Sequence, residues 1–328
     1  MDASAPLPSV TVLVIAYRMR ATIAASIASA LAQTLPCEII VSDDSSPDGT
    51  FEAAQAAVAG YAGPHRVSVR QTAENRGLCA HLYELAQLAS GPVLVCLAGD
   101  DIAYPQRAQR LSEAMAAHPH AQVIGSQVDD IDVHDRVLAR GVRGLPEVSD
   151  QRWFLRRGKL LMVLGASMAL RRTLLTDLPP LQGAVEDTML SLRAALVGEC
   201  RCLPEALIGY RRHDHNLNDF MNDRSDKSWE TYVRRTQRLV KQYRVIADDQ
   251  QRCVAARPDL PEERRHLGLE LARMYRLEAD MRDALIALPR WRWLGPLWRG
   301  LCHPGLRRKS AERAFKLLLP RRWFGRSG

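Results

Sequence analysis

No apolar run in the 328 residues reaches the roughly 18 to 20 positions that a membrane-spanning helix needs, because Arg, Asp or Glu interrupts each one first. A spanning segment is therefore not expected. Residues 1–18 carry no basic group ahead of their apolar segment, so they do not read as a secretory signal, and the expected location is the cytoplasm. None of the seven cysteines forms a CxxC pair, and only Cys200 and Cys202 lie close together. An odd count without a framework excludes a disulfide scaffold and suits small buried thiols in a reducing compartment. Internal repeats and low-complexity stretches are also missing, which excludes solenoids and fibrous chains.

What is present is an ordinary globular composition, 47% hydrophobic and 25% charged, in a chain longer than a single core usually fills. Two units are the default. The net charge of +8 is dominated by Arg and concentrated late in the chain. Such a balance suits an anionic partner, whether a diphosphate ligand, a membrane surface or nucleic acid, and charge alone does not choose.

Residues 10–15, VTVLVI, form a β-branched run, and 19–33 carry apolar residues at helical spacing. The pattern recurs with EIIVS at 38–42, a polar turn over 43–50 and a helix to about 59. It recurs again with a strand at 67–71, a loop at 75–77 and a helix to 89, then PVLVCLA at 92–98 ending in Asp100 and Asp101. Apolar strands alternating with helices predict a parallel sheet covered on both faces, with ligand loops at the carboxyl ends of its strands. A helix over 105–117, a strand near 122–126, a buried strand over 161–170 and a helix over 186–197 follow. Past Asn218 the strand patterns stop, and Arg-rich helical periodicity covers 229–249 and 261–287. The division this predicts is a catalytic domain over 1–220 and a basic, mainly helical extension over 221–328.

Three acidic pairs stand at element ends. Asp43 and Asp44 follow a buried strand, where carboxylates accept from a base N–H or ribose hydroxyl, or simply cap the next helix. Asp100 and Asp101 repeat this on another strand, and such oxygen ligands suit Mg²⁺ or Mn²⁺ bridging phosphates. Glu186 and Asp187 open a helix, where acids favour the macrodipole and can also act as a general base. Residues 210–216, YRRHDHN, place Arg forks and His beside possible phosphate oxygens.

The order VTVLVIAYR, EIIVSDDSSPDGT, ENRGL, VLVCLAGDDIAYPQR, GASMALRR, AVEDTMLSLRAALVG, YRRHDHN resembles the family 2 glycosyltransferases of the GT-A fold over nearly all of residues 9–216. The resemblance implies a nucleotide pocket from Ala16, Tyr17, Asp43 and Asp44, with Asn75 and Gly77 of the following loop. It implies a divalent metal and diphosphate at Asp100 and Asp101, with Arg212 and His213 alongside, and Asp187 as catalytic base with Glu186 as second choice. Ala98 stands where many members have the first carboxylate of a DxD, and Tyr83 where many have Asn. The implied reaction is inverting transfer from a nucleoside-diphosphate sugar to a glycan or lipid-linked saccharide, in surface polysaccharide synthesis. The missing carboxylate leaves open a catalytically silent sugar-nucleotide binding subunit, and paired carboxylates leave open a hydrolase.

The last stretch interleaves Trp291, Trp293, Trp298, Trp323 and Phe324 with clustered Arg. That composition suits an amphipathic segment on an anionic membrane, peripheral on the inner face of the cell membrane, and equally helices packed on the catalytic domain. Nucleic acid is not expected, since no recognition motif accompanies the charge.

Overall fold

The computed structural model describes residues 9–142, 144–158, 162–183, 185–213 and 228–315. Contacts group the chain into two compact units that are not consecutive: Met1–Ser149 with Met162–His213, and Asp150–Leu161 with Asp214–Gly328. The boundary expected near 220, the Asp214, His215 and Asn216 part of YRRHDHN, and Trp323 and Phe324 lie outside the described residues.

The first unit opens with β1 (Val10–Ala16), α1 (Ile23–Leu31), β2 (Glu38–Asp43), α2 (Thr50–Val58), β3 (Arg66–Gln71), α3 (Leu78–Leu88) and β4 (Val93–Ala98). Next come β5 (Ile102–Ala103), α4 (Arg107–Ala117), β6 (Ala121–Ile131), β7 (Val137–Val142) and β8 (Val148–Ser149). After α5 (Gln151–Arg157), which belongs to the second unit, the chain returns with β9 (Ala169–Arg171), α6 (Thr173–Thr176), α7 (Glu186–Val197) and β10 (Glu199–Arg211).

One sheet runs β3-β2-β1-β4-β9-β6-β10-β5, with β7 beside β6 and β8 beside β10. Strands β1 to β4 are mutually parallel, β6 is parallel to β10, and the short β9 lies antiparallel to both β4 and β6. The carboxyl ends of β1, β2, β4, β6 and β10 therefore share one edge. Val10, Val12, Val14, Ile39, Val41, Val95 and Leu97 bury one sheet face against Ile23 and Ile27 of α1. At ~1.5–3 kcal/mol for each such side chain, this cluster holds the edge in place.

Two departures from the sequence reading bear on the site. The strand expected over 161–170 is a 3-10 turn, Gly165–Ser167, followed by only the three residues of β9. Side chains satisfy that segment instead of a ladder: Ser191 Oγ accepts from Val163 N at 3.0 Å, and Arg107 Nη2 donates to Ala166 O at 2.7 Å. The 13 residues of β10 form a strand that the periodicity did not announce, because its pairing with β6 shifts register repeatedly around Pro204.

The second unit is helical: α5, α8 (Trp229–Ala256), α9 (Glu262–Ala287), a 3-10 turn (Arg290–Trp293), α10 (Leu294–Cys302) and α11 (Arg307–Phe315). Helices α8 and α9 run antiparallel, with Arg244 on Asp283 at 2.8 Å and Arg276 on Asp248, burying Tyr243, Ile246, Leu271 and Tyr275 between them. Glu278 of α9, buried, takes both nitrogens of Arg313 at 2.7 and 2.6 Å and Arg282 Nε at 3.1 Å, which fastens α11 to the hairpin. Burial pushes its carboxyl upward, but the Arg313 fork and the neighbouring cations prevail and hold it below the ordinary value. No helix among the described residues is long and apolar enough to cross a membrane.

Candidate functional site

The loops after β1 and β2 are tied to each other. Arg18 N donates to Ser46 Oγ at 2.8 Å, Met19 N to Thr50 Oγ1 at 2.9 Å, and Asp44 N to Ala16 O at 2.9 Å. Two non-glycine residues take left-handed backbone in them, Arg18 at φ 56° and Ser45 at φ 58°, a cost of ~1 kcal/mol or more each that the surrounding bonds offset. Ala16 is buried, whereas Tyr17 is 40% exposed with Arg18 over its ring at 5.4 Å.

Both acids of the first pair are already engaged by the protein. Asp43 Oδ2 accepts from Ser46 N at 2.8 Å and Gln71 Nε2 at 2.9 Å, and its Oδ1 from Ser46 Oγ. Asp44 accepts from Thr72 Oγ1 at 3.1 Å, from Arg76 N at 2.9 Å and from Gly77 N at 2.9 Å, while Asn75 Nδ2 donates to its carbonyl at 3.0 Å. Asp44 thus holds the Asn75–Gly77 loop that leads into α3 from across the fold. Gly77, at φ 75°, is there for its backbone, since nothing lies within 4 Å of where a Cβ would be. With ~four lone-pair directions on a carboxylate, each acid keeps about one for a ligand.

At the end of β4 the two adjacent acids turn opposite ways. Asp100 Oδ2 meets His213 Nε2 at 2.9 Å. Asp101 is fully buried: its Oδ1 accepts from Arg211 N at 2.9 Å and its Oδ2 has no hydrogen-bond partner among the described residues. Burial, with the Asp100 charge beside it, raises the Asp101 carboxyl well above the ordinary value against the pull of Arg107 and Arg211. Asp101 therefore faces the interior, and Asp100 is the carboxylate of the pair that faces His213. Arg212, just past the end of β10, holds its guanidinium over the Tyr210 ring at 5.8 Å and its Nε 3.8 Å from Asp130.

Glu186 and Asp187 start α7. The single residue Gly198 joins α7 to β10, so the helix returns along the sheet and brings its first turn to the carboxyl edge. Asp187 Oδ1 accepts from Thr188 N at 2.7 Å. The Gly165 turn lies directly against the pair, since a Cβ at Gly165 would come within 3.0 Å of Glu186 Oε1. Burial, then the Asp187 charge, pushes the Glu186 carboxyl up to about 8; burial pushes Asp187 up to about 6, held from going further by the Thr188 bonds. Two adjacent buried carboxyls raised in this way titrate as a pair and give up their protons in two separate steps. Folded values above the unfolded ones mean that the pair's contribution to folding is complete below the unfolded range and is lost as pH rises through about 6 and about 8.

Two residues that sequence reasoning missed organise the site. Arg211, 3% exposed, donates through Nε to Asp100 O at 2.7 Å, through Nη1 to Asp132 O at 2.8 Å and through Nη2 to Asp135 Oδ1, joining the Asp100 turn to the β6–β7 hairpin. Arg107, fully buried, bridges Cys96 O at 2.6 Å and Ala166 O at 2.7 Å, joining β4 to the turn beside Glu186. Strand alternation over 199–211 would have separated Arg211 from Tyr210; no signal marks a buried Arg107. Among the described residues no group of three or more His, Cys, Asp or Glu could hold a metal ion. Asp100 supplies an oxygen donor of the kind that fits a hard cation, which takes one or two protein carboxylates and completes its shell with phosphate oxygens and water, and His213 stands beside it.

The family profile "Glycosyl transferase family 2" matches residues 11–178. The putative glycosyltransferase EpsE of Bacillus subtilis is 33% identical over 144 residues, 44% of this chain and 50% of that protein. The succinoglycan biosynthesis protein ExoU of Rhizobium meliloti is 34% identical over 111 residues, 34% of this chain and 31% of that protein. The chain thus spans half or less of the length of these two relatives. Among solved structures, that of S. aureus TarS 1-349 in complex with UDP-GlcNAc superposes with a TM-score of 0.58 at 18% identity, covering 94% of this chain and 92% of that one. The likeness establishes the fold, a GT-A type α/β architecture followed by C-terminal helices.

Proposed function

This chain belongs to glycosyl transferase family 2, and we propose that it transfers a sugar, with inversion, from a nucleoside-diphosphate sugar to a glycan or lipid-linked saccharide in polysaccharide synthesis. The reading is supported most by one arrangement: acidic clusters from β2, β4 and α7 assembled at the carboxyl edge of one mostly parallel sheet. The names of EpsE and ExoU and the UDP-GlcNAc bound to TarS support the substrate class.

In this reading the β1 and β2 loops, with Ala16, Tyr17, Asp43, Asp44, Asn75 and Gly77, receive the nucleotide. Asp187 removes the acceptor hydroxyl proton as that oxygen attacks the anomeric carbon and the bond to the diphosphate breaks. Glu186, beside it, is the second choice for that role. His213 and Arg212 stand toward the diphosphate, and Asp101 supports the turn from inside. A divalent cation, Mn²⁺ or Mg²⁺, would be held by Asp100, with His213 beside it, and would offset charge on the departing diphosphate.

Asp187 titration sets the pH profile. With saturating donor, turnover should be lost as pH falls through about 6 and be retained above it. In Glu186→Gln the acidic limb should stay in place, and a variant as inactive as one lacking Asp187 would transfer the base role to Glu186.

Donor binding tests the nucleotide site. A nucleoside-diphosphate sugar with Mn²⁺ at ~100 times its Kd should stabilise the folded chain by about 2.7 kcal/mol in a thermal-shift screen. Asp100→Ala should lose most of the Mn²⁺-dependent part, and an undiminished shift would remove Asp100 from the site. A silent binding subunit, which Ala98 leaves open, predicts the shift but no nucleoside diphosphate release when acceptor is added. A hydrolase predicts release without acceptor.

A further inference from the structure

Helix α10 carries two apolar stripes where a surface helix needs one. The inner stripe, Trp293 and Leu297, is buried against Ala284 and Leu285, with Trp293 Nε1 donating to Leu288 O at 3.0 Å. On the outer side, Trp291, Leu294 and Trp298 are 67%, 61% and 68% exposed. They fall at i, i+3 and i+7 and so line one face. Gly295 between them adds no side chain and opens on free space. Isolated exposed apolar residues are ordinary, but two tryptophans and a leucine on one stripe are not scattered.

Cations frame this stripe. Arg292 lies over the Trp291 ring at 4.7 Å, and Arg299, Arg307 and Arg308 are exposed. From residue 290 to the end the sequence has eleven Lys and Arg against one acid, Glu312, a net +10 in a chain whose total is +8. The whole positive excess is thus concentrated in the segment that exposes the tryptophans. Indole, apolar in its ring and polar at its N–H, suits the boundary between headgroup and acyl chain, and guanidinium suits the phosphates above it.

We propose that the outer face of α10 and its preceding 3-10 turn dock this protein on an anionic bilayer, with Trp291, Leu294 and Trp298 entering the headgroup boundary and the flanking arginines pairing with lipid phosphate. The docking lies in the plane of the interface and spans nothing. It rests on the second unit alone and is independent of the transfer reading.

Vesicle flotation of the full chain is the test. Protein should float with vesicles containing phosphatidylglycerol, remain behind with phosphatidylcholine alone, and be released by added salt. A Trp291→Ser, Leu294→Ser, Trp298→Ser variant should bind at least roughly tenfold more weakly, its circular dichroism and melting unchanged because the three side chains face solvent. Equal flotation by the variant, or equal binding to neutral vesicles, overturns the proposal. So does a dimer of the native chain that the variant abolishes, which would assign the face to a second copy. In a parallel measurement without loss of apolar bulk, brominated lipid should quench native tryptophan emission but not that of Trp291→Phe, Trp298→Phe. Persistent quenching there would move the contact to one of the four remaining tryptophans and overturn the assignment.

Discussion

Replacing Asp187 by asparagine is expected to slow transfer by roughly 10²–10⁴-fold while donor affinity and fold are kept. Asparagine retains an oxygen for the Thr188 N–H bond at 2.7 Å, so the first turn of α7 keeps that bond. What it loses is the capacity to take a proton. Burial already disfavours the ionised form, lifting this carboxyl to about 6, so a neutral side chain should leave the melting temperature unchanged or raise it above pH 6. Loss of turnover with equal or higher stability is the signature of a group kept for chemistry. Nucleoside diphosphate release with acceptor, donor titration and a thermal melt on the same preparation read all three. A parallel fall in donor affinity would reassign Asp187 to binding, and near-normal turnover would remove it from the reaction.

Arg211→Met is expected to destabilise the first unit by about 2–3 kcal/mol and lower its melting temperature by roughly 5–10 °C. Three side-chain bonds disappear, to Asp100 O, Asp132 O and Asp135 Oδ1, while the main-chain bond to Asp101 remains. Asp135 is largely exposed and regains water, so most of the cost arises at the two carbonyls and at Asp101, which loses a cation that favours its charge. Mn²⁺-dependent donor stabilisation should fall with it, since Asp100 is held by the same guanidinium. Arg211→Lys restores charge but not the fork and should recover less than half of the loss. Native melting in the lysine variant would show that charge alone suffices.

How far the sequence could be read follows from what each pattern encodes. Strands β1, β2 and β4 are short β-branched runs buried on both faces, and α7 and α9 begin and end within a residue of their expected spans. Those signals are local. The β10 strand is not: its Pro204, register shifts and mixed residues make sense only beside β6. Missing it concealed the alternation that separates Arg211 from Tyr210. Similarly, adjacent acids at a strand end are indistinguishable in sequence, and only packing separates buried Asp101 from Asp100, which meets His213. Asp44 was legible as an acid at a ligand edge, but its hold on the Asn75–Gly77 loop depends on a contact across the fold.

The excursion of residues 150–161 into the helical unit has a practical consequence for dissecting the molecule. Phe154 of α5 is fully buried, Gln151 Nε2 donates to Arg264 O at 2.9 Å, and a Cβ at Gly158 would collide with Gly305 O at 1.8 Å. Cutting the chain after His213 would strip α5 of these partners while leaving it spliced between β8 and β9. A soluble fragment of the sheet-bearing unit would therefore have to replace that insert by a short polar linker as well, and the two halves are inseparable by any single break.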